Sequence, residues 1–192
     1  MAEDTGNSRQ RMVAGAADMI RRRGLNATSV RELAKHTRAP LGSTYHYFPG
    51  GKSDLAAEAV RWADDLTVRV LTRELRAGPI AGLRAFLEMW RNVVLDSDFH
   101  AGCPVLSVSV EDLPDGQAAP REAAAAAFRN WTELLAESLR EHGAAAADAD
   151  RVATLIVAAV EGTVAMCRAQ RSIEPLDQVA AELTRLVGDV LD

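Results

Sequence analysis

Hydrophobic residues recur every three or four positions along most of this chain, the spacing of helices that bury one face in a core. The pattern predicts a first helix from Asn7 or Ser8 that Gly24 ends, and long helices that begin at Lys52 or Ser53 and after Pro79. Three more helices are predicted over residues 120–142, 150–171 and 176–191. The chain is therefore expected to be all-α, with about nine helices.

Residues 102–113, GCPVLSVSVEDL, are the ambiguous part of this pattern. Their alternating valines and serines are typical of a strand. A single strand in an otherwise helical chain would have no partner, so we expect a short helix there.

Residues 28–52 contain two short helix patterns with a tight connection between them. Ser29 and Glu32 form the spacing of a capping box, which predicts a helix that begins near Val30. Residues 37–39 break the pattern, and Pro40 suits the first turn of a second helix that ends near His46. Two helices joined in this way make a helix-turn-helix.

The second helix has few large apolar residues, so most of its surface is expected to face outward. Leu41 and Tyr45, four positions apart, are expected to seat it on the core. A helix with small polar side chains fits the major groove of DNA, where Ser and Thr bond to base edges. The predicted base-facing residues are Gly42, Ser43, Thr44 and His46. Predicted phosphate contacts come from Thr28, Ser29, Tyr47, Lys52 and the Tyr45 hydroxyl.

Charge is divided unevenly along the chain. The net charge is −5, but residues 1–61 hold 10 Lys and Arg against 6 Asp and Glu, whereas residues 62–192 hold 12 against 21. Positive charge therefore collects in the part that would meet phosphates.

The string GSTYHYF, preceded by TSVRELAKH and followed by a lysine, resembles the DNA-binding end of the TetR family of one-component transcriptional repressors. The PGGK loop and the GCPV string are similar to a subgroup that includes lincomycin-resistance-type and flavonoid-responsive repressors. Two positions depart from the family pattern, since Arg38 stands where Gly is usual and Pro40 where Ser or Thr is usual.

The resemblance implies a homodimer that binds a palindromic DNA operator, with the dimer interface on the last two helices. We expect a DNA-binding domain over residues 1–51 and a helical ligand-binding and dimerisation domain over residues 52–192. The helix after Lys52 would link the two mechanically.

Aromatic residues in the middle helices suggest a site for a small, largely apolar effector whose binding releases the operator. Family members commonly hold an effector between the fourth, fifth, seventh and eighth helices. Aromatic residues at helical spacing are also ordinary core residues, so periodicity alone leaves both interpretations open. The predicted ligand-binding residues are Trp62, Phe86, Met89, Trp90, Phe99, Phe128, Trp131 and Met166.

Other functions have weaker support in the sequence. No motif of a hydrolase, metalloprotease, P-loop enzyme or dinucleotide enzyme is present, so we expect neither catalysis nor a cofactor. Without an apolar N-terminal segment the chain is expected to be cytoplasmic, with Cys103 and Cys167 reduced. Two alternatives remain: a protein-interaction module, and a metal-responsive regulator that uses Asp96, Asp98, His100 and Cys103.

Overall fold

A computed structural model describes residues 2–113 and 118–191, without the side chains of residues 2–7. Over these residues the chain forms nine α-helices and a 3-10 turn, Leu75–Ala77, and no strand, which confirms the all-α class. The helices are α1 Ala2–Arg23, α2 Val30–His36, α3 Leu41–Tyr47, α4 Lys52–Glu74, α5 Pro79–Asp96, α6 Pro104–Ser109, α7 Ala118–Glu141, α8 Ala146–Gln170 and α9 Glu174–Asp189.

The ambiguous segment is helical, as predicted. Pro104 occupies the first turn of α6, where a missing N–H costs nothing, and the Cys103 sulfur accepts a hydrogen bond from Leu106 N at 3.4 Å. Two helices begin at least four residues earlier than expected. Helix α1 starts at Ala2. Helix α8 starts at Ala146, because the alanine run before Asp150 extends a helix readily.

The chain packs as two compact units. The first contains the described residues of 2–64 and 103–127, and the second contains residues 65–102 and 128–191. Helices α4 and α7 each contribute residues to both units. The predicted domain boundary between residues 51 and 52 stays a prediction.

The first unit is built on α1, which contacts α2 and α6. Arg9 reinforces the packing of the segment after α3, since its guanidinium lies 5.3 Å from the centre of the Phe48 ring and forms an ion pair with Glu58 at 3.0 Å. The largest fully buried side chains of the first unit include Met12, Ile20, Leu25, Leu33 and Phe48.

The second unit is built on α5, α8 and α9, which contact one another. Among the described helices, only α8 is long and apolar enough to cross a membrane by length and composition. Half of its apolar window is buried, and its buried side packs on α5 and α9. We therefore interpret α8 as a core helix.

Asp18 on α1 lies among basic side chains of α1 and α2. Its carboxylate bonds to Arg21 at 2.7 Å and Arg22 at 3.0 Å, and lies 3.7 Å from His36 Nε2. Burial opposes ionisation of this carboxylate, but the hydrogen bonds and charges of the two arginines outweigh it, so the pKa of Asp18 lies below its ordinary value.

A lowered folded-state pKa means that the ionised Asp18 stabilises the fold above the ordinary carboxyl pKa, and that this contribution disappears as pH falls through the folded-state value. Asp18→Asn should therefore lower the urea midpoint at pH 7, and the difference from wild type should shrink below about pH 4. The same change at exposed Asp65 is the control and should leave the midpoint unchanged. A difference that persists at low pH would contradict this assignment.

Candidate DNA-binding site

The start of α2 carries the predicted capping box. The Ser29 hydroxyl accepts a hydrogen bond from Glu32 N at 3.1 Å, and the Glu32 carboxylate accepts one from Ser29 N at 3.2 Å. The Ser29 hydroxyl also donates to this carboxylate at 2.8 Å. These hydrogen bonds hold the pKa of Glu32 below its ordinary value.

The turn between α2 and α3 uses a left-handed residue. Arg38 has φ 53°, a conformation that glycine adopts most easily, which explains why the family usually has Gly at this position. Pro40 is the N-cap of α3 and makes no side-chain cap bond, so the helix runs from Leu41 to Tyr47, one residue later than predicted. The helix-turn-helix is therefore present with a shifted second helix.

The side of α3 that packs on the core differs from the prediction. Thr44, predicted to face bases, is 0% exposed, and its hydroxyl lies 4.0 Å from Met12 Sδ. Leu41 and Tyr45, predicted to seat the helix, are 39% and 54% exposed. The prediction was wrong for these three side chains, because Thr44 and the following Phe48 form the buried edge of α3 instead.

The outer surface of α3 thus consists of Leu41, Gly42, Tyr45 and His46, all exposed, with Ser43 half-buried beside them. A Cβ built on Gly42 would have no neighbour within 4 Å, so packing inside the protein does not require a glycine there. Because glycine weakens a helix, we expect that Gly42 serves the close approach of another surface to this exposed face.

The predicted phosphate-contact residues have different environments. Thr28 is buried, and its hydroxyl donates to Gly24 O at 2.8 Å. Its side chain is therefore not available for the predicted phosphate contact. Tyr47 is half-buried with its ring 5.3 Å from the His46 ring. Lys52 is half-buried and donates to Asn26 O at 3.3 Å. Ser29 is exposed, but its hydroxyl is already engaged in the cap.

Sequence reasoning missed the exposed cations of the helix-turn-helix as candidate phosphate contacts. Arg31 and Lys35 on α2 and Arg38 in the turn are exposed, and all three lie within the positively charged part of the chain. The charge division along the sequence pointed to this region, but the individual side chains could only be chosen once their exposure was known. We expect them to add to phosphate binding.

Four of the predicted ligand-binding residues form one aromatic cluster in the second unit. Trp131 lies at its centre, with ring centroids 5.6 Å from Phe128, 6.1 Å from Phe86 and 6.3 Å from Trp90. Phe86, Trp90 and Trp131 are buried, and Phe128 is half-buried. The Trp90 indole nitrogen is buried and has no hydrogen-bond partner among the described residues, which leaves one donor unused in an apolar setting.

The other four have separate environments. Met166 is 49% exposed on α8, contrary to the prediction that it lines an interior site. Phe99 has φ 62°, and its ring centre lies 5.8 Å from the Arg171 guanidinium carbon. Met89 is half-buried on α5, and Trp62 is half-buried on α4 within the first unit.

The residues named for a metal-responsive regulator are not gathered into a metal site among the described residues. Within residues 2–113 and 118–191, no group of three or more His, Cys, Asp and Glu side chains is placed to hold a metal ion. Asp98 instead forms an ion pair with Arg171 at 2.9 Å. Cys103 and Cys167 are buried and not joined in a disulfide. Burial raises the pKa of the Cys167 thiol.

An all-helical fold with an exposed helix-turn-helix defines a helix-turn-helix DNA-binding protein. Two family models match the chain: residues 13–59 match "Bacterial regulatory proteins, tetR family", and residues 79–182 match "Transcriptional regulator LmrA/YxaF-like, C-terminal domain". The chain belongs to the TetR family of transcriptional regulators. The subgroup suggested by the PGGK and GCPV strings is confirmed by the second match.

Relatives and solved structures agree with this assignment. An HTH-type transcriptional regulator of Mycobacterium tuberculosis is 39% identical over 184 residues, covering 93% of each chain. The HTH-type transcriptional regulator LmrA of Bacillus subtilis is 27% identical, covering 92% of this chain and 94% of the relative. The crystal structure of regulatory protein TetR from Rhodobacter sphaeroides has a TM-score of 0.81 at 26% identity, covering 92% of this chain and 97% of that one.

Gly42→Ala separates a role in folding from a role in binding. Replacing glycine on an exposed helix face should stabilise the protein by about 0.5–1 kcal/mol. The added methyl should weaken duplex DNA binding by about tenfold, because it stands where the groove approaches the helix. Thermal unfolding and a gel shift measure the two effects.

Wild type and the Gly42→Ala variant are compared at a temperature where each is fully folded, so that the difference in stability does not enter the DNA affinity. Equal DNA affinity of Gly42→Ala and wild type would contradict the assignment of Gly42 to the DNA interface.

Proposed function

We propose that this transcriptional regulator is a ligand-responsive homodimeric repressor, which leaves a palindromic operator when a small, largely apolar effector binds its C-terminal domain. The observation that carries the proposal is the exposed face of α3, formed by Leu41, Gly42, Tyr45 and His46. The proposed DNA-binding domain is residues 1–51, and the proposed ligand-binding and dimerisation domain is residues 52–192. The protein would act in the cytoplasm, where it meets DNA.

Dimerisation is expected because one helix-turn-helix contacts too few base pairs for selective binding, whereas a two-fold dimer doubles the contacts. An unpartnered apolar surface on α8 and α9 supports this step. Leu155 and Met166 on α8 are each 49% exposed. A groove of about 370 Å³ runs between α8 and α9, with Leu155, Val179 and Leu186 among its lining residues. A second copy of this surface would cover these apolar groups.

Leu155→Glu should break the proposed dimer, because a charge placed in an apolar interface loses its hydration without gaining a partner. We expect a monomer by light scattering at micromolar concentration, with operator affinity reduced by at least about tenfold. Leu95→Glu makes the same change at an exposed leucine of α5 and should leave the dimer intact. A wild-type protein that is monomeric under these conditions would exclude this interface.

The aromatic cluster supports the proposed effector site. It supplies planar apolar surfaces from Phe86, Trp90, Phe128 and Trp131, and the unused indole N–H of Trp90 supplies one directional donor. A planar aromatic molecule with a hydrogen-bond acceptor matches both features. Flavonoids are one class of molecule with this chemistry, and the subgroup that the chain resembles includes flavonoid-responsive repressors, so a flavonoid is a suitable first probe.

Release of the operator follows from linkage between the two binding events. In one conformation of the dimer, the distance between the two helix-turn-helix units does not match the spacing of the operator half-sites. An effector that binds this conformation more tightly lowers operator affinity by the difference between its binding free energies for the two conformations, typically about 1–3 kcal/mol. Helix α4 would carry the change, because it starts directly after the helix-turn-helix and continues to Glu74.

A gel shift with a palindrome-containing fragment from beside the gene, with and without a flavonoid, tests this function. We expect the flavonoid to quench the fluorescence of Trp90 and Trp131 and to weaken DNA binding by about 5- to 150-fold. Lys52→Ala should weaken binding to all duplexes. A flavonoid that quenches the fluorescence but leaves DNA affinity unchanged would contradict the release mechanism.

A further inference from the structure

A carboxylate from the segment after α6 binds the turn between α1 and α2. Glu111 Oε1 accepts a hydrogen bond from Leu25 N at 2.5 Å, and Oε2 accepts one from Asn26 N at 2.6 Å. All three residues belong to the first unit. Two successive backbone N–H groups thus hold one carboxylate in a two-pronged, charge-assisted contact, which is the stronger kind of hydrogen bond.

Gly24 shapes the turn so that it admits this carboxylate. Its φ of +82° lies in the left-handed region, and a Cβ at this position would overlap the Glu111 carboxylate. The glycine therefore meets two requirements at once, the backbone conformation that ends α1 and the space for the incoming side chain.

Asn26 is held by two further groups around the same turn. Its side-chain amide donates to Asp112 O at 3.1 Å, and its carbonyl accepts from Lys52 Nζ at 3.3 Å. The turn is thus fixed by the α6 segment on one side and by the first residue of α4 on the other. It leads within three residues to Ser29, the N-cap of the first helix of the helix-turn-helix.

We propose that Glu111 is a positioning residue for DNA binding: its carboxylate latches the segment after α6 onto the Leu25–Asn26 turn and thereby sets the pose of the helix-turn-helix. The inference rests on the proposed DNA-binding function and adds to it a specific contact through which α6 acts. Any displacement of α6 must either carry the turn with it or break this latch. The latch preorganises the helix-turn-helix and so favours operator binding, because the protein loses less conformational entropy when it binds DNA.

Glu111→Gln keeps the shape of the side chain and removes its charge and one of its two acceptor atoms. Hydrogen exchange at the Leu25 and Asn26 amides should rise about tenfold relative to the Leu33 and Phe48 amides, because only the local contact is lost. Binding to a palindrome-containing upstream duplex should weaken by about 3- to 10-fold. The salt dependence of binding should stay unchanged, since Glu111 neutralises no phosphate.

Asp112→Asn is the matched control, because it removes the same charge one residue further along the chain while keeping the Asp112 backbone carbonyl that Asn26 binds. It should change neither the local exchange nor the duplex affinity beyond a small electrostatic gain. Wild-type exchange rates at Leu25 and Asn26 in Glu111→Gln would overturn the latch, whatever the DNA result. Duplex affinity of Glu111→Gln equal to that of Asp112→Asn would overturn its role in positioning.

A double substitution separates the latch from general destabilisation. Gly24→Ala should displace the Glu111 side chain by overlap, so its effect on duplex affinity should be smaller in a Glu111→Ala background than in wild type. Additive effects of the two substitutions would contradict the latch. A wild-type protein that binds no duplex would contradict the proposed function, and the exchange measurement would still decide whether Glu111 holds the turn.

Discussion

The seating of α3 through Thr44 and Phe48 is the constraint on which DNA recognition by this protein depends. A helix of seven residues is not stable alone in water, so its orientation is set by what it buries. Thr44 and Phe48 are buried, and Arg9 on α1 lies against the Phe48 ring. That anchoring turns Leu41, Gly42, Tyr45 and His46 outward, and these four residues form the surface that we assign to DNA.

The contacts around this seat form a connected framework within the first unit. The capping box fixes the start of α2, the left-handed Arg38 directs the chain into α3, and Glu111 holds the turn that precedes α2. Each of these contacts fixes the end of a helix or a turn, and none lies in the interior of a helix. The pose of the short helices is therefore determined by their connections, and α6 contributes one of those connections from a distant part of the sequence.

Much of this arrangement could be predicted from the sequence, because local signals encode it. The Ser29 and Glu32 spacing gave the start of α2, and the family strings gave the helix-turn-helix. Four aromatic residues at helical spacing on α5 and α7 do form one cluster.

Which side of α3 packs on the core could not be predicted in the same way. Leu41 with Tyr45 and Thr44 with Phe48 are both pairs at a spacing of four, and hydrophobicity alone favoured the wrong pair. The deciding factor is the fit of Phe48 and Thr44 against α1, which is a tertiary contact.

The Glu111 latch could not be predicted from local sequence pattern either, since it joins residues 86 positions apart. Gly24 was predicted to end α1, but its second requirement, space for a carboxylate, is set by the fold.

The most direct measurement of the central claim is thiol labelling of Tyr45→Cys and Thr44→Cys with and without an operator duplex. The native thiols Cys103 and Cys167 are buried, so they contribute little background. We predict that the thiol of Tyr45→Cys reacts rapidly in the free protein and is protected by the duplex, whereas that of Thr44→Cys is unreactive in both states. Rapid labelling of Thr44→Cys that the duplex blocks, together with an unreactive Tyr45→Cys, would contradict the account.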